Sequence, residues 1–215
     1  MKIKVVRDIL EANQRIASEN REIFTRHGVF VINLMSSPGA GKTTLLERTI
    51  ESLKDTIPIG VIEGDIRSSI DAERINKLGV PVVQINTDGA CHLDGNMVRE
   101  CLRELDLSPL RLLFVENVGN LVCPAEFKIG EDHKVMILSV TEGDDKPSKY
   151  PLMFRESSVL LINKIDLLPY IECDLERIRA SARDINPGLE IFEISCKTGE
   201  GLDRWYRWIK NNLAS

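Results

Sequence analysis

Val29-Phe30-Val31-Ile32-Asn33-Leu34-Met35-Ser36-Ser37-Pro38-Gly39-Ala40-Gly41-Lys42-Thr43-Thr44 is the stretch that decides the fold. An apolar strand runs into a Gly-rich turn, and the turn opens a helix. Glycines in such a turn let backbone N–H groups close around phosphate oxygens, and the new helix points its positive dipole end at them. Lys42 is placed to reach the β- and γ-phosphates, and the Thr43 hydroxyl to bind Mg²⁺. Ser36 stands where the P-loop consensus has its first Gly; the remainder is intact. The expected phosphate-binding residues are Ser37, Pro38, Gly39, Ala40, Gly41, Lys42, Thr43 and Thr44.

Outward from this turn, apolar runs predict strands at 29–35, 57–62, 80–85, 110–116, 134–140, 159–163 and 190–194. Their near-continuous Val, Ile and Leu content suits strands buried on both faces of a largely parallel sheet. Helical patterns near 42–54, 69–78, 93–104, 172–184 and 200–212 alternate with them. The expected fold is α/β: a P-loop NTPase with a doubly wound, largely parallel sheet flanked by helices. Loops are expected where Pro and Gly gather, around 143–151 and 186–188.

Residues 1–27 read as an N-terminal helical extension, and 28–215 as the P-loop domain. Val6, Ile9, Leu10, Asn13, Ile16 and Ala17 recur near helical spacing, and His27-Gly28 reads as the helix end. Such a helix either packs on its own domain or docks a partner.

The length of 215 residues suits one large domain. A net charge of −5 with no Lys/Arg block argues against a nucleic-acid binder. No apolar run approaches the roughly 18 residues of a membrane helix. Asp8, Glu11, Asn13 and Gln14 interrupt any signal-peptide core. The expected compartment is the cytoplasm, where five cysteines (Cys91, Cys101, Cys123, Cys173, Cys196) point to metal binding or plain burial rather than disulfides.

Phosphoryl transfer also needs acidic groups to place Mg²⁺ and the attacking water. The apolar run 112–115 ends in Glu116, and Glu116-Asn117-Val118-Gly119 resembles the DxxG switch of GTPases with Glu for Asp. The second strand ends in Glu63-Gly64-Asp65. Thr43, Asp65 and Glu116 are therefore expected around Mg²⁺, directly or through water. Asp71 is a candidate for orienting the water, with an exposed helix residue as the alternative. Lys42, Asp65, Asp71 and Glu116 together form the expected catalytic set.

At the base site, a buried strand leads into Asn163-Lys164-Ile165-Asp166, an NKxD pattern. The Asp166 carboxylate can accept from guanine N1–H and the exocyclic amine together, a donor pair that adenine lacks. Lys164 can lie along the purine, and Asn163 can brace neighbouring loops. Ser195-Cys196-Lys197 is similar to the loop that offers a backbone N–H to guanine O6. P-loop, switch, NKxD and SxK in this order predict a GTPase.

Cys91-His92 and Cys123-Pro124 bring thiolate and imidazole donors suited to Zn²⁺ or Ni²⁺. Each cysteine alone reads equally as a small buried hydrophobe. Three donors fall short of a closed tetrahedral site, which a two-fold dimer could complete. Lys146 and Lys149 could reach a phosphate across such an interface, or be plain loop lysines. Trp205 and Trp208 read as core packing.

The sequence resembles the hydrogenase maturation GTPases that insert nickel, the HypB family. The resemblance spans nearly the whole chain. It rests on the P-loop, Glu63-Gly64-Asp65, Cys91-His92-Leu93-Asp94, the run from Phe114 to Pro124, Thr141-Glu142-Gly143-Asp144-Asp145-Lys146 and Asn163-Lys164-Ile165-Asp166. It implies a homodimerising GTPase that delivers Ni²⁺ to the large subunit of [NiFe]-hydrogenase, with a HypA-type nickel chaperone as partner. It implies a Ni²⁺ or Zn²⁺ site of Cys91, His92 and Cys123 at a GTP- and metal-promoted dimer interface, and an N-terminal helix that docks the chaperone. Some relatives carry an N-terminal CxxCGC motif and others a His-rich stretch; this sequence has neither, its first cysteine being Cys91. The alternatives within reach are a urease-type nickel-insertion GTPase, which the ENVGNLVCP string disfavours, and a regulatory GTPase with structural zinc. The short segment from Glu116 to Cys123 further predicts that nucleotide and metal are coupled through it.

Overall fold

The computed structural model describes residues 5–65 and 70–214. Residues 1–4 of the expected extension, position 69 of the expected 69–78 helix and the side chain of Val6 lie outside the described residues. The chain begins with α1 (Val5–His27), β1 (Phe30–Ser36), α2 (Lys42–Leu53), β2 (Ile59–Asp65), α3 (Ile70–Asn76), β3 (Val82–Asn86), α4 (Gly95–Cys101) and β4 (Leu112–Glu116). It continues through α5 (Cys123–Glu126), β5 (His133–Ser139), α6 (Lys146–Lys149), α7 (Pro151–Glu156), β6 (Val159–Asn163), α8 (Leu175–Ile185), β7 (Glu190–Glu193) and α9 (Leu202–Ala214).

The strands form one parallel sheet in the order β3-β2-β4-β1-β5-β6-β7, with helices on both faces. The α/β expectation therefore holds. β1 lies in the middle, where strand order reverses, and ligands of open parallel sheets bind at the carboxyl ends of strands around such a point. The P-loop follows β1, Glu63 and Asp65 close β2, Glu116 ends β4 and Asn163 ends β6. One layer of core packs α2 and α9 against the sheet, with Leu45, Ile50, Trp205 and Ile209 fully buried. Trp205 and Trp208 stack at 5.3 Å, as core packing predicts.

Strand ends differ from the hydropathy reading because pairing decides them. β2 starts two residues late, since the Pro58 carbonyl accepts from the backbone of Arg111 and Leu112. It runs on to Asp65 because Glu63, Gly64 and Asp65 pair with Gln84, Ile85 and Asn86. The expected loop at 143–151 is a correction: it holds α6 and the start of α7. Pro147 and Pro151 sit in the first turns, where a missing N–H and a fixed φ suit a helix start. α4 starts only at Gly95, capped by the Asp94 carboxylate accepting from Met97 N at 2.9 Å. Cys91 and His92 therefore lie in the loop before it.

α1 packs on α4 and buries Asn13, Ala17, Asn20 and Phe24. Ile9, expected on the apolar seam, is 54% exposed. The buried stripe thus carries two asparagines at its centre.

Candidate functional site

A cleft of about 530 Å³ opens at the carboxyl ends of β1, β2 and β4. Pro38, Gly39, Gly41, Lys42, Thr43, Thr44, Asp65, Asp71, Glu116 and Lys164 line it, all of them expected from sequence. Gly41 has φ 104°, and a Cβ there would lie 2.5 Å from Asn163 Nδ2, so only glycine fits. Ser36, the departure from consensus, is buried; its Oγ donates to the Ser37 carbonyl at 2.6 Å and accepts from Lys42 Nζ at 3.0 Å. Ser37 faces the other way and donates to Glu142, whose other carboxylate oxygen caps Ser139 N.

Glu63 lies opposite Glu116 across the β2–β4 pairing. Glu116 Oε1 accepts from Thr43 Oγ1 at 2.8 Å. Glu63, Asp71 and Glu116 bring carboxylate oxygens within 4.8 Å of one another. Burial, then the neighbouring Glu116, pushes the Glu63 carboxyl up to about 10. Burial also raises Glu116, against the pull of the Lys42 ammonium. Glu63 Oε2 and Glu116 Oε2 are buried without a hydrogen-bond partner. Buried carboxylates left unpaired are costly, so this donor set fits a hard divalent cation such as Mg²⁺.

Asp65 lines the cleft beside this trio rather than within it. Asp71 is held by Arg74 at 3.0 Å, and Arg74 also pairs with Glu47 at 2.6 Å. Sequence reasoning passed over Glu63 and Arg74. A carboxylate inside the apolar run of β2 was the available signal for Glu63; nothing in the sequence marked Arg74.

The base loops are bound to the P-loop. Asn163 Nδ2 donates to the Ala40 carbonyl at 2.9 Å, while its Oδ1 accepts from Lys164 N at 2.8 Å and Cys196 N at 3.2 Å. Lys164, in the left-handed region at φ 65°, donates from Nζ to the Gly39 carbonyl at 2.7 Å. Ser195 Oγ donates to Asp166 Oδ1 at 2.6 Å. Cys196 is buried, which pushes its thiol up to about 12, and Lys197 is exposed. Lys146 and Lys149 both pair with Asp145 on their own helix and its cap.

On the far side of β4, Cys91 Sγ lies 3.0 Å from Cys123 Sγ and 3.7 Å from His92 Nδ1. The three donor atoms fall within 4.8 Å of one another, as the sequence pattern anticipated. The His92 ring packs on Phe127 at 3.9 Å. Burial lowers the His92 pKa, against Asp94 and Glu126, and so favours the neutral imidazole that binds metals. The hydrogen bond with Cys91, then burial, raises the Cys123 thiol, so metal binding there must release its proton. Soft sulfur and borderline nitrogen fit Ni²⁺ or Zn²⁺.

Asn117 joins the two clusters. Its Oδ1 accepts from Leu93 N at 2.9 Å and Val118 N at 3.0 Å, and its Nδ2 donates to Asn33 Oδ1 at 3.2 Å. Leu93 follows His92 directly, and Asn117 follows Glu116. A Cβ on Gly119 would meet Pro38 of the P-loop at 3.0 Å, so the switch segment lies against the phosphate turn.

The sequence profile described as CobW/HypB/UreG, nucleotide-binding domain, matches residues 30–193. The hydrogenase maturation factor HypB of Escherichia coli K12 is 51% identical over 208 residues, covering 97% of this chain and 72% of that protein. The chain belongs to the HypB family. Two HypB crystal structures share its fold. That from Archaeoglobus fulgidus superposes with a TM-score of 0.89 at 40% identity, covering 94% of this chain and 99% of the other. That from Helicobacter pylori, a complex with nickel, superposes at 0.90 with 35% identity, covering 94% and 95%. The nucleotide-binding P-loop domain of HypB is thus the domain built here, with α1 added before it. Among the described residues no helix is long and apolar enough to cross a membrane.

Proposed function

We propose that this HypB-family chain hydrolyses GTP with Mg²⁺ and uses the nucleotide cycle to load and release nickel for the large subunit of [NiFe]-hydrogenase. Lys42 and the backbone N–H groups of the P-loop hold the phosphates. Thr43, Glu116 and Asp65 surround Mg²⁺, with Glu63 joining them. A Mg²⁺ there supplies charge neutralisation across the β- and γ-phosphates. Asp71, held by Arg74, orients the attacking water. Asp166 reads guanine once Ser195 yields its carboxylate, and Asn163, Lys164, Cys196 and Lys197 shape that pocket.

The cargo, Ni²⁺ or Zn²⁺, binds Cys91, His92 and Cys123. Three donors leave a position open, so a second copy of the chain completes the site in a dimer that GTP and metal promote together. A HypA-type chaperone in the cytoplasm exchanges nickel with this site.

The observation that carries this reading is the Asn117 side chain. A γ-phosphate that displaces Glu116 from Thr43 also moves Asn117, and with it the backbone that follows His92. The test is titration of Ni²⁺ and Zn²⁺ into the apo, GDP-bound and GTP-analogue-bound protein, with mass read by light scattering. Joint promotion of a dimer, lost in Cys91→Ala and Cys123→Ala, is expected. Metal binding that ignores both nucleotide and these cysteines would leave a GTPase and remove the metallochaperone.

A further inference from the structure

Two buried asparagines on α1 grip the two arms of the thiol–imidazole cluster. Asn13 Oδ1 accepts from Gly95 N at 2.7 Å, and its Nδ2 donates to the Lys128 carbonyl at 2.8 Å. Asn20 Nδ2 donates to the Gly95 carbonyl at 2.7 Å and the Ile129 carbonyl at 3.1 Å. Arg99 Nε completes the network by donating to Asn20 Oδ1 at 3.2 Å. Gly95 closes the loop that carries Cys91 and His92, and Lys128–Ile129 follow the turn that carries Cys123.

The approach is too close for side chains. A Cβ on Gly95 would stand 3.1 Å from Ala17 N and Asn13 Oδ1. One on Gly130, at φ 103°, would stand 2.8 Å from Asn20 Cβ and 2.9 Å from the Ala17 carbonyl. Both arms of the cluster are therefore seated, through glycines, on one face of one helix.

We infer that Asn13 and Asn20 are positioning residues for the metal centre. α1 holds the Cys91-His92 arm and the Cys123 arm in register, so a movement of α1 changes ligand geometry. This inference rests on the metal-centre reading above. A partner that shifts α1 would loosen or tighten the cargo without touching a ligand, because each asparagine bridges segments that no other described side chain joins in this way. An amide suits the task, since it offers a donor to one arm and an acceptor to the other.

The test uses the full chain, with Ni²⁺ alone as probe, in Asn13→Asp, Asn13→Ala, Asn20→Ala and Cys91→Ala. Asn13→Asp keeps the acceptor for Gly95 N and replaces the donor to Lys128 with an oxygen that repels it. It releases the Cys123 arm alone. The asparagine variants are expected to lower nickel affinity by roughly 10–100-fold, the range for residues that orient metal ligands. They should also shift the thiolate-to-nickel absorption bands, with GDP affinity and the thermal midpoint in GDP retained. A purely structural role would lower the midpoint and leave the bands in place, and that result overturns the inference. So does nickel binding with the parent's affinity and bands in every asparagine variant that folds, provided Cys91→Ala abolishes it. Cys91→Ala that still binds nickel as the parent does would instead remove the metal-centre reading, and this inference with it.

Discussion

The phosphate cleft and the thiol cluster flank Asn117 and are held in different ways. The cleft is floored by strand ends, with Glu63 and Glu116 2% and 3% exposed, and its loops are tied together by Asn163. The thiol cluster hangs on two loops, with Cys91 exposed and Val122 beside it 52% exposed. Its register comes from amides on other elements: Asn117 from β4 and Asn13 and Asn20 from α1. A rigid floor suits chemistry that needs fixed charges. A site held by a few side-chain bonds is one whose geometry can follow a switch.

Breaking one region should leave the other intact. Lys42→Ala removes the cation at the phosphates. GTP turnover should fall by about 10²–10³-fold, the loss typical of one preorganised charge-stabilising group. Nickel titration of the nucleotide-free variant should match the parent, and a parallel loss of metal binding would show that the two regions are one unit.

Cys123→Ala tests the reverse. Nickel affinity should drop by about 100-fold or more, beyond the effect of a residue that only orients a ligand. GDP affinity, followed by fluorescence competition, should hardly change. A large change there would place Cys123 in the nucleotide site.

Asn117→Ala probes the joint itself. It strands the Leu93 and Val118 N–H groups, at a cost of about 1–3 kcal/mol for each buried donor. The ratio of nickel affinities in the GTP-analogue and GDP states should fall towards one, a loss of roughly tenfold coupling or more. An unchanged ratio would route coupling through the chain from Glu116 to Cys123 alone.

The smallest effect concerns pH. Glu63 titrates at about 10 in the folded chain against 4.5 as a free group, so between those values the native state keeps a proton that the unfolded state has lost. Stability of the metal-free protein should therefore fall as pH rises from about 5 towards 10. Mg²⁺ should flatten the slope, and Glu63→Gln should remove Glu63's share of it. Thermal melts at several pH values read this as a shift of a few degrees.

Most of the cleft was legible because its parts are contiguous motifs. A P-loop needs glycines, a lysine and a hydroxyl at fixed spacing, and NKxD needs its carboxylate three positions after the asparagine. The trio Cys91, His92 and Cys123 was legible as donor types, and the fold brings their atoms together. Arg74 was hidden because an arginine on an amphipathic helix carries no mark of what it will face. Asn20 was hidden because an amide on a helix reads as solvent-facing until its partners are known.

The order of apolar runs and turn residues was enough by itself to determine a parallel α/β sheet, the position of the phosphate turn and the base-reading loop. Those features are set by local sterics, periodicity and dipoles, which a short window of residues contains. Tertiary structure alone decided that Glu63 faces Glu116, that Asn117 reaches Leu93, and that α1 clasps both arms of the thiol cluster through Gly95 and Gly130. Those contacts join residues far apart in the chain. Their energy comes from burial and from matching a donor to an acceptor, neither of which exists before the sheet and helices have packed.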